Sequence, residues 1–467
     1  MGIVGWLEER DVLILGLGRE GMSSYAFLRH RFPDKWIGLA DQRDFSQLEQ
    51  GTQLVVEADG RVQLYLGEDY LRCVSEYGVV FRSPGIAPSL PELVDARTRG
   101  ALITSNTQLF LECCRGVTVG VTGTKGKSTT TALVYEVLKG GGVDARLTGN
   151  IGIPPLDSLT DASSDTVFVA EMSSYQLVDV RNSPHIAVVQ NIVPEHTDYH
   201  GSFEAYVAAK QSIVRYQTER DYTVFNAGYR IPTEIANGSI AQKIPFGIVA
   251  AAGCFLEDDA LVFCSARGRA QIIGIDEIPL KGRFNLQNVM PSIVIGKHFD
   301  IPNETIAAAI KGFKSLEHRL EHVGSYGGVC FYNDSLSTIP EATIAAIRAF
   351  PNRRVILLAG GFDRGQIFND FAEVVLRCDV KAVVLFPTTG ERVWAEIFRL
   401  AKGRALPEHA FVCDMNEAVK IAYDWATEGD VVLLSPAAAS FGRFRDYRDR
   451  GEQFKAAVKQ LIGKPPQ

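Results

Sequence analysis

The chain has 467 residues, 46% hydrophobic and 22% charged, with a formal net charge of −7. That length predicts roughly two to four domains with ordinary cores. The acidic balance and the want of a long basic run exclude nucleic acid or an anionic membrane surface as the main partner. No apolar run approaches the ~20 residues a membrane helix needs. The eight cysteines show no Cys-x-x-Cys spacing, and adjacent Cys113 and Cys114 suit neither a simple disulfide nor a zinc site, so a reducing cytoplasm is expected. The first residues read as neither a secretory nor a myristoylation signal, Trp6 standing where Ser or Thr is wanted.

The first segment, DVLILGLGREGMSSYAFLRH, predicts a strand, a Gly16-x-Gly18-x-x-Gly21 turn and a helix. A second strand, KWIGLA, ends at Asp41, about 20 residues beyond the last glycine, as a dinucleotide fingerprint asks. The glycines and helix start suit the pyrophosphate of any nucleotide diphosphate. Asp41 suits a ribose or uracil edge, and Arg43 adds to that site. A tight turn with no ligand is the bland alternative. GVVFRSPGIAP predicts another strand, and a domain boundary is expected near Asn106.

GVTVGVTGTKGKSTTTALVYEVL then reads as a buried strand, a glycine-rich loop and a helix start. Gly123 and Gly126 allow consecutive N–H groups to turn inward around a phosphate, Lys127 supplies a point charge for the outer phosphates, and Ser128 a hydroxyl for Mg²⁺. The spacing is not the strict P-loop one, since the earlier glycine would fall on Val121 and Gly120 lies one place too soon. TVFVAE predicts a strand ending at Glu171, and HIAVVQ a strand running into the loop of His196. Ligands of an open parallel sheet gather beyond the carboxyl ends of its strands, so both should converge on the P-loop. Glu171 is then a candidate Mg²⁺ ligand, and His196 a metal ligand or a group that positions a reacting atom. Lys210 falls on the following helix, where by itself it reads as solvated. Residues 220–280 predict a strand-rich excursion, and two helices follow, the first opening with Asn285 and Asn288. A second boundary is expected near Ser315.

The last segment repeats the alternation of strands and helices, with a polar loop at NDSLST, a glycine turn carrying Asp363 and Arg364, and Ser435, Ser440 and a basic-aromatic tail on the exit loop of its final strand. An α/β fold of three units is expected, each a parallel sheet with helices on both faces.

Taken in order, TGTKGKSTTT, LTGNIGIP, AEMSSYQL, NIVPEHTDYHGSFEAYVAAK, GRFNLQN, LEHRLE, NDSLSTIPEAT, LLAGG and LLSPAAAS resemble the Mur ligases of peptidoglycan assembly, and among them those that add glutamate to UDP-N-acetylmuramoyl-L-alanine. The resemblance implies a Rossmann-like UDP domain (1–106), a central P-loop ATP domain (107–315) and a mobile Rossmann-like domain for the amino acid (316–467). It implies that Gly123, Thr124, Lys125, Gly126, Lys127, Ser128 and Thr129 hold the ATP phosphates, joined by Asn285, Asn288, Arg319 and Asp334. It assigns Mg²⁺ to Ser128, Glu171, His196 and Lys210, the last as a carbamate, with Lys127, His196 and Lys210 as the catalytic set. Asn150, Ser173 and Gln176 match positions near the muramoyl-alanine, and Gly16, Gly18, Gly21, Asp41 and Arg43 the uridine side. Thr338, Arg364, Ser440 and Tyr447 match the glutamate site. The implied enzyme is a cytoplasmic monomer that forms an acyl phosphate, shielded from water by domain closure.

Departures from the family pattern fall at Lys125, for the asparagine of TGTNGKS; at Glu20, where a neutral residue is commoner; and in NDSLSTI, where Leu336 replaces a lysine while Thr338 keeps its hydroxyl. Arg364 also replaces a lysine, so the acceptor pocket is rebuilt and either glutamate enantiomer stays open, with D-glutamate favoured. Other readings are an amide ligase of the folylpolyglutamate synthase kind, which should lack the GLGREG segment; a nicotinamide-dependent dehydrogenase, which leaves the P-loop idle; and a protein that hydrolyses ATP to switch shape.

Overall fold

The computed structural model describes residues 2–249 and 252–462. It contains three sheets, and the chain gathers into two compact units, residues 1–277 with 287–311, and residues 278–286 with 312–467.

In the first unit, a five-stranded parallel sheet runs in the order Val62–Leu66, Ile37–Asp41, Val12–Leu15, Val79–Arg82, Leu102–Thr104. Val12–Leu15 and Ile37–Asp41 are buried at every position, because helices cover both faces, and this is why they read as unbroken apolar runs. The nine-stranded sheet has the P-loop strand Val117–Thr122 between Val167–Glu171 and Ile186–Val189, all parallel. Ala145–Gly149 closes one edge. On the other side follow Tyr222–Asn226, Gln242–Gly247 and Gly253–Glu257, then Ala260–Ser265 and Gly268–Gly274, which turn back antiparallel. These last five strands are the strand-rich excursion that the sequence predicts.

The two sheets share one unit because polar and aromatic side chains cross between them. The fully buried Arg82 guanidinium donates to Asp179 at 2.8 Å, to Tyr199 Oη at 2.8 Å and to the Tyr175 carbonyl at 3.0 Å. Asn106 Nδ2 reaches Ser23 and Ser24 Oγ, both at 3.1 Å, while its Oδ1 accepts from Leu156 N. Phe110 and Phe168 meet edge to face at 5.4 Å.

In the second unit, a six-stranded sheet runs Glu321–Tyr326, Val329–Asn333, Val431–Leu434, Val355–Gly360, Val380–Phe386, Glu408–Phe411, parallel except for its first pair. Separate apolar cores pack on its two faces. Of the basic-aromatic tail expected on the exit loop, residues 441–446 are indeed turn and bend, but from Tyr447 the expectation corrects to a helix, Tyr447–Ile462. Its Arg450 is fully buried and donates to Ser335 Oγ and O at 3.0 and 2.8 Å and to Ala438 O at 3.1 Å, so apolar patterning alone misreads its inward face. Among the described residues, no helix is long and apolar enough to cross a membrane.

Candidate active site

The P-loop leaves its strand at Thr122 and returns as the helix Lys127–Gly140. Gly126, at φ 85°, caps that helix with no side chain, and a Cβ there would collide with Asn288 Oδ1. The loop is pinned from outside: Thr124 N donates to Asn191 O at 2.7 Å, Thr124 Oγ1 meets Tyr206 Oη at 2.8 Å, and Lys127 Nζ folds back to Thr124 O at 3.0 Å. The helix start therefore has no side chain on its N-cap residue and lies beside a positive side chain, as a polyphosphate site requires. The Lys125 ammonium is paired with Glu195 at 2.6 Å, so the extra cation of this loop already has a local partner.

Glu171 ends the strand beside the P-loop strand, with Val121 opposite it in register. The residue is 1% exposed; Oε1 accepts from Asn150 Nδ2 at 2.9 Å, and Oε2 is buried with no hydrogen-bond partner. A buried carboxylate oxygen left unpaired costs several kcal/mol unless a cation or donor meets it, on the order of ~1–3 kcal/mol even for a neutral group. A buried, unpartnered carboxylate oxygen is a hard donor of the kind Mg²⁺ prefers, so the residues present fit that ion.

Lys210, read as solvated, is 1% exposed. Its Nζ donates to Gly123 O at 2.8 Å and Thr122 Oγ1 at 3.3 Å, directly under the P-loop. Burial drives its pKa well below the ordinary lysine value, and the Lys127 charge pushes the same way against the pull of Glu195 and Glu171. The amine is therefore held toward its neutral form.

His196 takes a left-handed conformation (φ 56°) at the start of Thr197–His200 and packs on Tyr175, ring centres 5.0 Å apart. Burial lowers its pKa; Glu195 opposes this, while Lys127 and Lys210 reinforce it, keeping the ring neutral and able to ligate a metal. Glu171, His196 and Lys210 thus gather around the P-loop, with Lys127 and Lys210 close enough to perturb His196.

On the side of the first sheet, Gly16 sits at φ 91° against Ser83, and a Cβ on Gly21 would overlap the Gly16 carbonyl. Gly18 instead faces open space and caps the helix Arg19–Arg31 without a side chain, leaving room for a phosphate at its N–H groups. Asp41 accepts from Leu17 N at 2.7 Å and from Arg43 Nε and Nη2 at 2.9 and 2.8 Å. Burial alone would raise its pKa, but these donors hold it low. Asp41 thus pins the glycine turn and aims Arg43. Ser173 and Gln176 form a capping box, and Gln176 Nε2 donates to Glu20 Oε1 at 2.6 Å. That bond links Ser173 and Gln176 to the glycine turn. Arg19 adds a second link, donating to Gly152 O at 2.6 Å beside Asn150.

In the second unit, Asp334 is buried and accepts from Leu320 N at 3.1 Å, Ser337 Oγ at 2.6 Å and Ser435 Oγ at 2.8 Å. Burial pushes its carboxyl up to about 6, against those donors. Its role within this unit is to draw the NDSLST and SPAAAS loops together. Arg450, which no sequence pattern singled out, ties the same loops from the terminal helix. Tyr447 begins that helix, its carbonyl held by Ser335 Oγ at 2.7 Å, while Ser440 is buried and Thr338 half-buried. Arg319 is half-buried, and Asn285 Nδ2 donates to Lys281 O at 2.6 Å. Glu317, His318 and Glu452 cluster nearby, but Lys455 lies 3.2 and 2.6 Å from the two glutamates and already supplies their counter-charge.

A family profile described as the Mur ligase middle domain matches residues 121–296, and one described as the Mur ligase glutamate ligase domain matches 318–438. The chain is 34% identical over 461 residues to a UDP-N-acetylmuramoylalanine–D-glutamate ligase of Acetivibrio thermocellus, covering 97% of each chain. It is 37% identical over 459 residues to the enzyme of the same description from Symbiobacterium thermophilum, covering 97% of this chain and 99% of that one. Among solved structures it is similar in fold to UDP-N-acetylmuramate–alanine ligase MurC of Thermotoga maritima, with a TM-score of 0.59 at 17% identity over 97% of this chain and 100% of that one. MurF ligase of Thermotoga maritima, solved in complex with ADP, gives 0.58 at 16% identity over 97% of each chain.

Proposed function

The chain belongs to the Mur ligase family, and from that premise we propose that it joins glutamate, D-glutamate before L-glutamate, to UDP-N-acetylmuramoyl-L-alanine with conversion of ATP to ADP and phosphate, a step of peptidoglycan precursor synthesis. The observation that carries the reading is the buried Glu171 carboxylate, with one oxygen unpartnered, at the carboxyl end of the strand beside the P-loop strand.

A carboxylate is a poor acceptor for an amine. The alanine carboxylate therefore first attacks the γ-phosphoryl group of ATP, forming an acyl phosphate and releasing ADP. The glutamate amine then attacks the acyl carbon, expelling phosphate and giving up a proton as the amide forms. The residues between 123 and 129 would hold the ATP phosphates through backbone N–H groups, with Lys127 offsetting their charge. Ser128, Glu171, His196 and a carbamylated Lys210 would hold Mg²⁺, which when bound supplies positive charge to the phosphoryl oxygens. Lys210 suits carbamylation because a neutral amine adds to carbon dioxide and an ammonium does not. Asn285, Asn288, Arg319 and Asp334 complete the proposed ATP contacts. Gly16, Gly18, Gly21, Asp41, Arg43, Asn150, Ser173 and Gln176 are proposed for the UDP substrate, and Thr338, Arg364, Ser440 and Tyr447 for glutamate. The domain limits proposed for these tasks are 1–106, 107–315 and 316–467.

Purified protein given UDP-N-acetylmuramoyl-L-alanine, Mg²⁺ and ATP should release phosphate and form amide in equal amounts with D-glutamate, and much less with L-glutamate. Lys210→Ala should be nearly inactive and partly restored by acetate. Ligation of aspartate, lysine or diaminopimelate, with neither glutamate enantiomer accepted, would refute the proposed acceptor.

A further inference from the structure

The glycine turn after Val355–Gly360 and the loop after Val431–Leu434 leave neighbouring parallel strands at their carboxyl ends and are tied together by Phe362 N donating to Ala439 O at 2.8 Å. Each loop presents a large aromatic ring to solvent, Phe362 at 44% and Phe441 at 49% exposure, and the two rings meet edge to face at 6.2 Å. The Arg364 guanidinium lies over the Phe441 ring, 5.1 Å from its centre. Two exposed aromatic rings and an exposed cation, in contact one after the other, are not what a solvated turn needs.

The rest of the turn is arranged so that Arg364 keeps its charge available. Its neighbour Asp363 accepts from Arg392 Nη1 at 2.6 Å and from Gly365 N at 2.8 Å, and those bonds, the backbone one first, hold its pKa low. Gln366 Oε1 accepts from Arg364 N at 2.8 Å, and Arg392 Nη2 donates to Gln366 O at 2.9 Å, which closes the turn on itself. Gln366 Nε2 is buried with no partner, a second unmet donor in the same turn. Among the described residues, no hydrogen bond or ion pair engages the Arg364 guanidinium.

We propose that Phe441, backed by Phe362, is a positioning residue for the amino-acid substrate: its ring fixes the plane of the Arg364 guanidinium so that the N–H fork meets a carboxylate of an α-amino dicarboxylic acid. This rests on the reading of Arg364 as a glutamate contact. A guanidinium stacked on a ring loses one face to solvent but keeps its donors in plane, and a planar fork held in one orientation binds a carboxylate bidentately.

The test is a double-mutant cycle on the full-length enzyme, read as kcat/KM for glutamate with ATP and UDP-N-acetylmuramoyl-L-alanine saturating. Phe441→Leu should raise the glutamate KM about twofold to fivefold, the range an exposed cation–π contact supports, while Phe441→Trp stays near the parent. In the Arg364→Ala background, Phe441→Leu should have no further effect. If Phe441→Leu leaves kcat/KM for glutamate unchanged, or lowers it equally with and without Arg364, the platform is refuted while the glutamate contact stands. If Arg364→Ala itself leaves the glutamate KM unchanged, it is the acceptor-site reading that fails.

Discussion

Glu20 places a carboxyl group in the turn where the substrate's own negative charge is expected, and its surroundings decide whether it is charged. Burial pushes its pKa from the ordinary 4.5 to about 7, against the Gln176 hydrogen bond and the charges of Arg82 and Arg19, and its Oε2 has no partner. Below pH 4.5 both folded and unfolded chains hold this proton. As pH rises from there to about 7 the unfolded chain ionises first, so stability is lost across that window and the loss is complete above it. Glu20→Gln should therefore be more stable than the parent at pH 8, on the order of 2 kcal/mol, with the difference shrinking toward zero by about pH 4. Urea unfolding at the two pH values measures this; a difference independent of pH would mean that Glu20 is ionised throughout. Lys210 shows what a residue-level reading misses. On the helix Phe203–Arg215 it lies four places after Tyr206 and three before Ile213, both buried, so it belongs to the apolar stripe. That spacing is in the sequence, and it outweighs the habit of reading a lone helical lysine as solvated.

Elements differ in how plainly they are written. Strands buried on both faces, such as Val167–Glu171 and Ile186–Val189, appear as apolar runs, and reasoning from their carboxyl ends brings Glu171 and His196 to the P-loop. Short or half-exposed edge strands, such as Val62–Leu66 and Glu408–Phe411, have no such pattern and become visible only through pairing with their neighbours. The terminal helix Tyr447–Ile462 is masked by its charges and by Gly451, where a Cβ would strike His318 and Asn333. The P-loop is the clearest element because its glycines have steric reasons. Gly126→Ala adds a side chain at φ 85° and forces it into Asn288, so it should weaken Mg-ADP binding at least tenfold and cost about 1–2 kcal/mol of stability. Calorimetric titration with Mg-ADP checks the first, and unchanged affinity would show that the loop conformation is not the one that holds phosphate.

At the scale of the whole molecule, alternation of strands and helices predicts three α/β sheets, and three are present, but in two compact units. The fusion of the first two sheets rests on Arg82 with Asp179, Asn106 with Ser23, and Phe110 with Phe168, pairs distant in sequence that no local pattern marks. The second unit has its own cores on both faces of its sheet, enough apolar packing to unfold on its own account. Scanning calorimetry of the full chain should therefore show two transitions. Leu433→Ala, in a core of the second unit, costs about 2–5 kcal/mol and should lower one of them by roughly 5–15 °C. Val169→Ala, beside the P-loop strand, should lower only the other. Saturating Mg-ADP should raise the transition that Val169→Ala lowers, since a ligand stabilises the unit that binds it, by about 2.7 kcal/mol at a hundred times its Kd. A single transition shifted by both substitutions would mean that the units unfold as one, and the separate cores would then not be independent sources of stability.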